Sequence, residues 1–279
     1  ERRQFGRPLR EFGMIQKKLA EMAAFEYAME STTFLVAAAL DRGEEDIMLE
    51  TAMLKVFNSE CLWTIVYETM QVLGGKSFFC DEPYERMMRD ARLNMIGEGA
   101  NEVLRVFIGL TGMRDIGKGL EALQGRLREP IKHWREIVGF ARQTLRRCLM
   151  TEAFPGDIPE TRQERRKLGV YLKRLHKHIH LSLARYREGI VNEQLAVDRI
   201  ASVGIYIYTC AAVLSRIERD RSRGMEHFSR ELVRARHFCR IAFRAMDDKL
   251  LCLASPDERA VGSVCESLYA SAPRRSHVG

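Results

Sequence analysis

Residues 12–40 read FGMIQKKLAEMAAFEYAMESTTFLVAAAL, and how this stretch is paired decides the fold. Ile15, Leu19, Met22, Tyr27 and Leu35 recur at helical spacing with no proline among them, so the stretch is predicted to be one long helix. Asp41-Arg42-Gly43 breaks it, and the next helical pattern spans residues 44–73. Acidic residues at its start suit the positive end of a helix, and Gly74-Gly75 close it. A short helix is expected after Pro83, a turn at Gly97-Glu98-Gly99, and another helix from Glu102 to about Met113. Alternating β-branched runs bounded by turns are missing, so the fold class is all-α: an antiparallel helical bundle followed by a second helical domain.

Further along, Gly112, Gly117, Gly119, Gly125 and Pro130 read as a linker over residues 116–130. This divides a first domain, 1–115, from a second, 131–279, in line with a length of 279 residues against about 150 per domain. Helical patterns are expected near 131–150, 160–189, 191–222 and 225–252, with a loop at 151–159 and a tail from Ala254 to Gly279 that loses the pattern and frays at its end. In the fourth of these, Phe228, Leu232, Ala235, Cys239, Ala242, Met246 and Leu250 share a face, and Arg223, Arg230, Arg234, Arg240 and Arg244 cluster opposite.

At 46% hydrophobic and 30% charged with 7 prolines, the chain is neither disordered nor collagen-like. Its net charge of +7 is unevenly spread: residues 1–115 hold 14 basic and 19 acidic side chains, and residues 116–279 hold 31 and 19. The basic excess therefore belongs to the second half. Seven cysteines, an odd number without a CxxC pair, fit a reducing compartment. The apolar run from 200 to 215 is shorter than a bilayer span and reads as a buried helix.

Three constellations invite chemistry. Gly75-Lys76-Ser77 resembles the end of a phosphate-binding loop, but that loop needs a glycine five residues before Gly75, where Met70 stands inside a helix. His176, His178 and His180 sit beside Lys173, Arg174 and Lys177, which repel a cation, so no metal is expected. Glu98, held between Gly97 and Gly99, reads either as a poorly solvated carboxylate suited to act as a general base or as an acid complementing the dipole of the following helix.

At this point a family resemblance enters. Glu1-Arg2-Arg3-Gln4-Phe5-Gly6, Phe12-Gly13-Met14-Ile15-Gln16 and Leu19-Ala20-Glu21-Met22 resemble the opening of the C-terminal helical domain of acyl-CoA dehydrogenases. Further matches follow in order: AMLKVFNSE at 52–60; Gln71-Val72-Leu73-Gly74-Gly75; Pro83-Tyr84-Glu85-Arg86 with Met88-Arg89-Asp90-Ala91-Arg92; and Glu98-Gly99-Ala100-Asn101-Glu102-Val103-Leu104-Arg105. The Phe-Gly-x-Ile-Gln variant and a helical tail containing Glu193-Gln194-Leu195 resemble the very-long-chain branch. Gly13, Gly97 and Ala100 depart from the commoner family residues, glutamine, an aromatic and threonine respectively.

The resemblance implies α,β-dehydrogenation of a fatty acyl-CoA with FAD as cofactor and electron-transferring flavoprotein as electron acceptor. It places Glu98 as the catalytic base, which decides between the two readings above, and puts Gly99 at the substrate. Arg2, Arg3 and Gln4, residues Gln71, Val72, Leu73, Gly74 and Gly75, and Ala100, Asn101 and Glu102 would line FAD, shared between the protomers of a homodimer. The family's two upstream domains are expected to precede Glu1, so this chain alone is expected to be inactive. The implied location is the cytoplasm or inner-membrane face of a bacterium, or the mitochondrial matrix or inner membrane of a eukaryote. The basic second half suggests peripheral contact with anionic membrane; no nucleic-acid motif appears. An assembly or scaffold role for a homologue of such enzymes is the alternative.

Overall fold

The structure, a computed structural model, describes residues 2–127, 154, 156, 158–254 and 258–271. Eight described helices follow one small hairpin: α1 (Gly13–Asp41), α2 (Met48–Leu73), α3 (Tyr84–Leu93), α4 (Asn101–Leu127), α5 (Arg162–Tyr186), α6 (Gln194–Ser222), α7 (Phe228–Ala254) and α8 (Glu258–Ser271). In the hairpin, β1 (Arg3–Gln4) pairs antiparallel with β2 (Arg7–Pro8), Arg3 opposite Pro8 and Gln4 opposite Arg7. Its two-residue turn places Phe5 at φ 49° and Gly6 at φ 78°, the positive-φ pair that tight hairpins favour.

The all-α architecture stands, with several boundaries moved. Helix α2 begins at Met48 rather than at residue 44 because the preceding residues close α1. The Gly43 N–H donates to the Leu40 carbonyl and the Glu44 N–H to the Ala39 carbonyl, with Gly43 at φ 80°, the paired bonds of a Schellman cap. The expected linker does not interrupt the fold at residues 116–127: α4 runs through Gly112, Gly117, Gly119 and Gly125 to Leu127. Each glycine lowers helix propensity by about 1 kcal/mol relative to alanine, which weakens a helix without forbidding it. The helix expected at 131–150 lies outside the described residues, as does most of the loop at 151–159. Within the tail expected to lack a helical pattern, Glu258–Ser271 form α8, with its described side chains exposed, and the end expected to fray lies outside the described residues.

Helix α6 lies at the centre, packed against α7, α4, α1 and α5. Its expected role as a buried helix holds: Ile200, Val203, Ile205, Cys210, Val213 and Ile217 are all buried. It is long and apolar enough to cross a membrane, yet 67% of its most apolar window is covered by the bundle. One core joins both halves of the chain, with Tyr27, Val56, Phe57 and Ile108 beside Val197, Val213, Phe238 and Met246. Phe57 of α2 meets Phe238 of α7 edge to face at 5.7 Å between centroids. At the α1–α6 contact, Arg216 lies 4.3 Å over the Tyr27 ring and pairs with Glu30 at 2.9 Å.

At Gly109 the two halves come close together. A Cβ there would sit 2.6 Å from Val197 Cγ1 and 2.7 Å from the Val197 carbonyl oxygen. The lack of a side chain is what lets α4 and α6 come this near.

Candidate functional site

Between α3 and α4 the chain must reverse in a few residues. The Gly97 N–H donates to Leu93 O at 2.8 Å, and the Asn101 N–H reaches back to Met95 O at 3.1 Å. Inside this loop Glu98 adopts φ 55° and Gly99 φ 91°. A non-glycine residue in the left-handed region is strained, and such strain concentrates at functional positions. A Cβ on Gly99 would meet Leu104 Cδ2 at 3.4 Å, an ordinary contact, so it is conformation rather than space that favours the glycine.

Glu98 is exposed, which corrects the expectation of a poorly solvated carboxylate within this chain. The turn lies at the edge of the bundle, where α3 and α4 supply no cover. Around it Leu93, Ile96 and Val103 are 64%, 54% and 64% exposed, an apolar rim beside a carboxylate.

Beneath the turn a polar network runs inward. Lys55 Nζ donates to Gly99 O at 2.6 Å and to Asn101 Oδ1 at 2.8 Å. Asn101, 4% exposed, donates through Nδ2 to Ser59 Oγ at 3.0 Å and to Glu60 Oε1 at 3.3 Å. Arg105 donates to Glu60 Oε2 at 2.7 Å and to Ser202 Oγ at 2.5 Å, and pairs with Asp198 at 3.5 Å; Lys249 meets Asp198 at 3.4 Å. Burial pushes the Lys55 pKa down, and the carboxylates of Glu102, Glu60 and Glu98 push it back up.

A second cluster forms at the far end of α2. Arg2 donates to Leu73 O at 3.0 Å, and its guanidinium lies where a Cβ on Gly74 would stand, 2.7 Å away, with Gly74 at φ 68°. Gln71 lines an open cavity of about 410 Å³ with Tyr67, Met70, Phe78 and Met88. Val72 is half-buried and Gly75 exposed. Arg3 caps the hairpin by donating to Gly6 O at 3.0 Å, and Gln4 is exposed.

The structure thus divides the sequence-predicted site into two groups. Arg2 is brought to Leu73 and Gly74, with Gln71 one turn away; Glu98, Gly99, Ala100, Asn101 and Glu102 form the other group. From Lys55 to Leu73 is 18 residues of helix α2, so the groups are about 27 Å apart. Ala100 is half-buried and Glu102 exposed, but the Asn101 side chain faces the bundle and is occupied by Lys55, Ser59 and Glu60.

Sequence reasoning missed Lys55, Ser59, Glu60, Asp198 and Ser202. Spacing of four between polar residues on otherwise apolar helices (55 and 59, 101 and 105, 198 and 202) was the available signal.

Elsewhere, the basic helix does not present its apolar stripe outward. Ala235, Cys239, Ala242, Met246 and Leu250 of α7 are buried in the core. Arg234 meets Glu26 and Glu231, and Arg230 meets Glu231. His176 and His180 approach to 3.1 Å between Nε2 atoms, and His178 is held below its ordinary pKa by burial and by Arg174 and Lys177. Among the described residues, no group of three or more His, Cys, Asp and Glu side chains is placed to hold a metal.

Comparison with known proteins accounts for both ends of the chain. Residues 1–111 match the acyl-CoA dehydrogenase C-terminal domain, and residues 159–266 match the ACAD9/ACADV C-terminal domain. The rat very long-chain specific acyl-CoA dehydrogenase, mitochondrial, is 35% identical over 227 residues, covering 80% of this chain and 35% of that protein. A crystal structure of an acyl-CoA dehydrogenase complexed with FAD from Bacillus anthracis is 27% identical with a TM-score of 0.69, covering 89% of this chain and 43% of that one. An acyl-CoA oxidase from Yarrowia lipolytica shares the fold at 15% identity, with a TM-score of 0.63, over 95% of this chain and 42% of its own. The chain therefore spans about two fifths of the length of these relatives. Two family matches, at 1–111 and 159–266 and over one shared helical core, make the chain a member of the acyl-CoA dehydrogenase family, corresponding to the C-terminal portion of its very-long-chain-like branch.

Proposed function

We propose that this chain supplies the catalytic base and part of the flavin site of an enzyme that introduces an α,β double bond into long-chain fatty acyl-CoA. The observation that carries this reading is Glu98, held at φ 55° in an exposed turn with the exposed apolar side chains of Leu93, Ile96 and Val103 within five residues of it in the chain. An exposed carboxylate becomes an effective base toward a weak C–H acid when a substrate and a covering domain exclude water from it. The apolar rim is the surface such a cover would take. Glu98 removes the α-proton in this reading. Gly99, without a side chain, lets the flat thioester approach the backbone.

FAD is the cofactor the family implies, and the residues present fit it. The Arg2 guanidinium lies over Gly74, 2.7 Å from where a Cβ would stand, and Gln71 opens onto a largely apolar cavity that Glu85 and Arg89 also line. Arg2 would hold the pyrophosphate, Gln71 and the backbone of Leu73 and Gly74 the adenosine end, and the backbone around Ala100 the flavin end. Bound FAD supplies the hydride acceptor. The separation of about 27 Å along α2 supports a flavin site assembled from two protomers, hence a homodimer. Electron-transferring flavoprotein is the implied electron acceptor.

The test uses the full-length protein of which this chain is a part. Glu98→Gln is expected to lower turnover of a long-chain acyl-CoA by at least about a thousandfold while flavin content is retained. Turnover within about tenfold of the parent would remove Glu98 from the base role. The 279-residue chain alone is expected to hold no stoichiometric yellow flavin.

Contact with a membrane surface is a second reading, and it moves from α7 to the apolar stripe of α8, whose charges, Glu258, Arg259 and Glu266, form no basic face. Val261, Val264 and Leu268 are 53%, 60% and 62% exposed at spacings of three and four, a stripe on a helix with little packing of its own. Flotation with phosphatidylserine vesicles should weaken in Val264→Asp/Leu268→Asp; unchanged flotation would argue against this stripe.

A further inference from the structure

Glu98 sits in a turn of two successive positive-φ residues, a conformation that does not maintain itself. What touches the turn from below is Lys55, whose ammonium donates to the Gly99 carbonyl at 2.6 Å and to Asn101 Oδ1 at 2.8 Å. One bond fixes the turn and the other fixes the first residue of α4. Both partners belong to stripes with four-residue spacing. Lys55 and Ser59 with Glu60 face Asn101 and Arg105, and Asp198 and Ser202 face Arg105 from α6.

Arg105 is the junction. Its side chain is 18% exposed, and it is held from α2 by Glu60 and from α6 by Ser202 and Asp198. Asp198 is also held by Lys249 of α7. A partly buried ion network with several satisfied bonds resists displacement more than any one pair does. Hence the bonds form a continuous path from the Gly99 carbonyl to the second half of the chain.

We propose that Lys55 and Asn101 are positioning residues for the Glu98 turn, and that Asp198 and Ser202 hold them in register through Arg105 and Glu60. This rests on Glu98 being the base. The second half of the chain then has a part in proton abstraction without touching substrate. It fixes where α4 begins and so where the turn before it points. Misplacing a base by about 1 Å costs up to a hundredfold in rate, whereas substrate binding elsewhere is little affected.

In the full-length enzyme, Lys55→Met and the pair Asp198→Asn/Ser202→Ala are each expected to lower kcat about tenfold with KM for a long-chain acyl-CoA within about twofold. Combining all three substitutions should cost little more than Lys55→Met alone, because one network is being cut twice. Asp198→Glu should restore most of the loss. Hydrogen exchange is the readout independent of turnover: amides 96–101 should lose protection in both variants, with amides of the α6 core unchanged.

Parental kcat in Asp198→Asn/Ser202→Ala would overturn the proposal, even if the melting temperature falls, since the tie would then be structural only. Additive losses, or a change confined to KM, would overturn it equally. Glu98→Gln separates this from the reading beneath it. An inactive Glu98→Gln with fully active clamp variants sinks the positioning proposal alone, and an active Glu98→Gln sinks the assignment of the base.

Discussion

Glu98 and Gly99 share one turn but respond to substitution in opposite ways. Glu98 at φ 55° carries the penalty of an L residue in left-handed backbone, about 1 kcal/mol, which a glycine would not pay. Glu98→Gly is therefore expected to leave urea-unfolding stability unchanged to within about 1 kcal/mol, the relief of strain offsetting the entropy of a more flexible unfolded chain. Gly99→Ala must adopt φ 91° with its methyl against Leu104, and should cost about 1–2 kcal/mol. A marked loss in Glu98→Gly would mean that the carboxylate itself supports the fold. The Glu-Gly pair was legible in the sequence, but the need for positive φ at the glutamate was not, because no residue type announces it.

At the scale of helices, the sequence spoke through periodicity and punctuation. It located α1, α3, α5, α6 and α7 to within a few residues. It misjudged α2 because Glu44 serves as the cap of α1, and it misjudged α4 because glycines read as a linker lie inside a helix. The contact of α5 with α7 shows what residue spacing cannot convey. Tyr171 donates to Asp247 Oδ2 at 2.8 Å, Arg174 pairs with the same carboxylate at 2.5 Å, and Tyr171 stacks on Phe243 at 5.1 Å. Burial pushes Asp247 up, but the hydrogen bonds from Arg174 and Tyr171 and the charges of Arg174 and Lys167 prevail and hold it below the ordinary 3.8. A lowered carboxylate stabilises the fold above its unfolded value and loses that contribution as pH falls through the folded one. The parent's advantage over Asp247→Asn in urea unfolding should thus be full at pH 6 and shrink below about pH 4. Tyr171 is pushed up to about 12 by burial and by its bond to Asp247, so its part persists up to pH 10 and is lost as pH rises toward 12. An advantage independent of pH would show that Asp247 packs without acting as a charge.

For the whole molecule the decisive fact is that α6, from the second half, fills the space between α1, α4, α5 and α7. The described residues of both halves should unfold in one transition, with helix content and tyrosine environment changing together in denaturant. Gly109→Ala tests the seam. The added methyl would meet the Val197 backbone, which cannot rotate away, so a loss of about 1–3 kcal/mol is expected, visible in both probes. Two separate transitions would mean that the halves are independent after all. The sequence by itself determined the helical class, most helix positions and the family, and singled out Glu98 as the candidate base, because hydrophobic period, glycine breaks and ordered motifs are local records. Only the tertiary structure decided that the halves share a core, that the apolar stripe of α7 faces inward, and that Lys55 supports the turn bearing Glu98 within a network reaching Asp198. Those outcomes depend on which faces meet, and residues 44 to 143 positions apart, as Lys55 is from Gly99 and from Asp198, carry no local mark of their pairing.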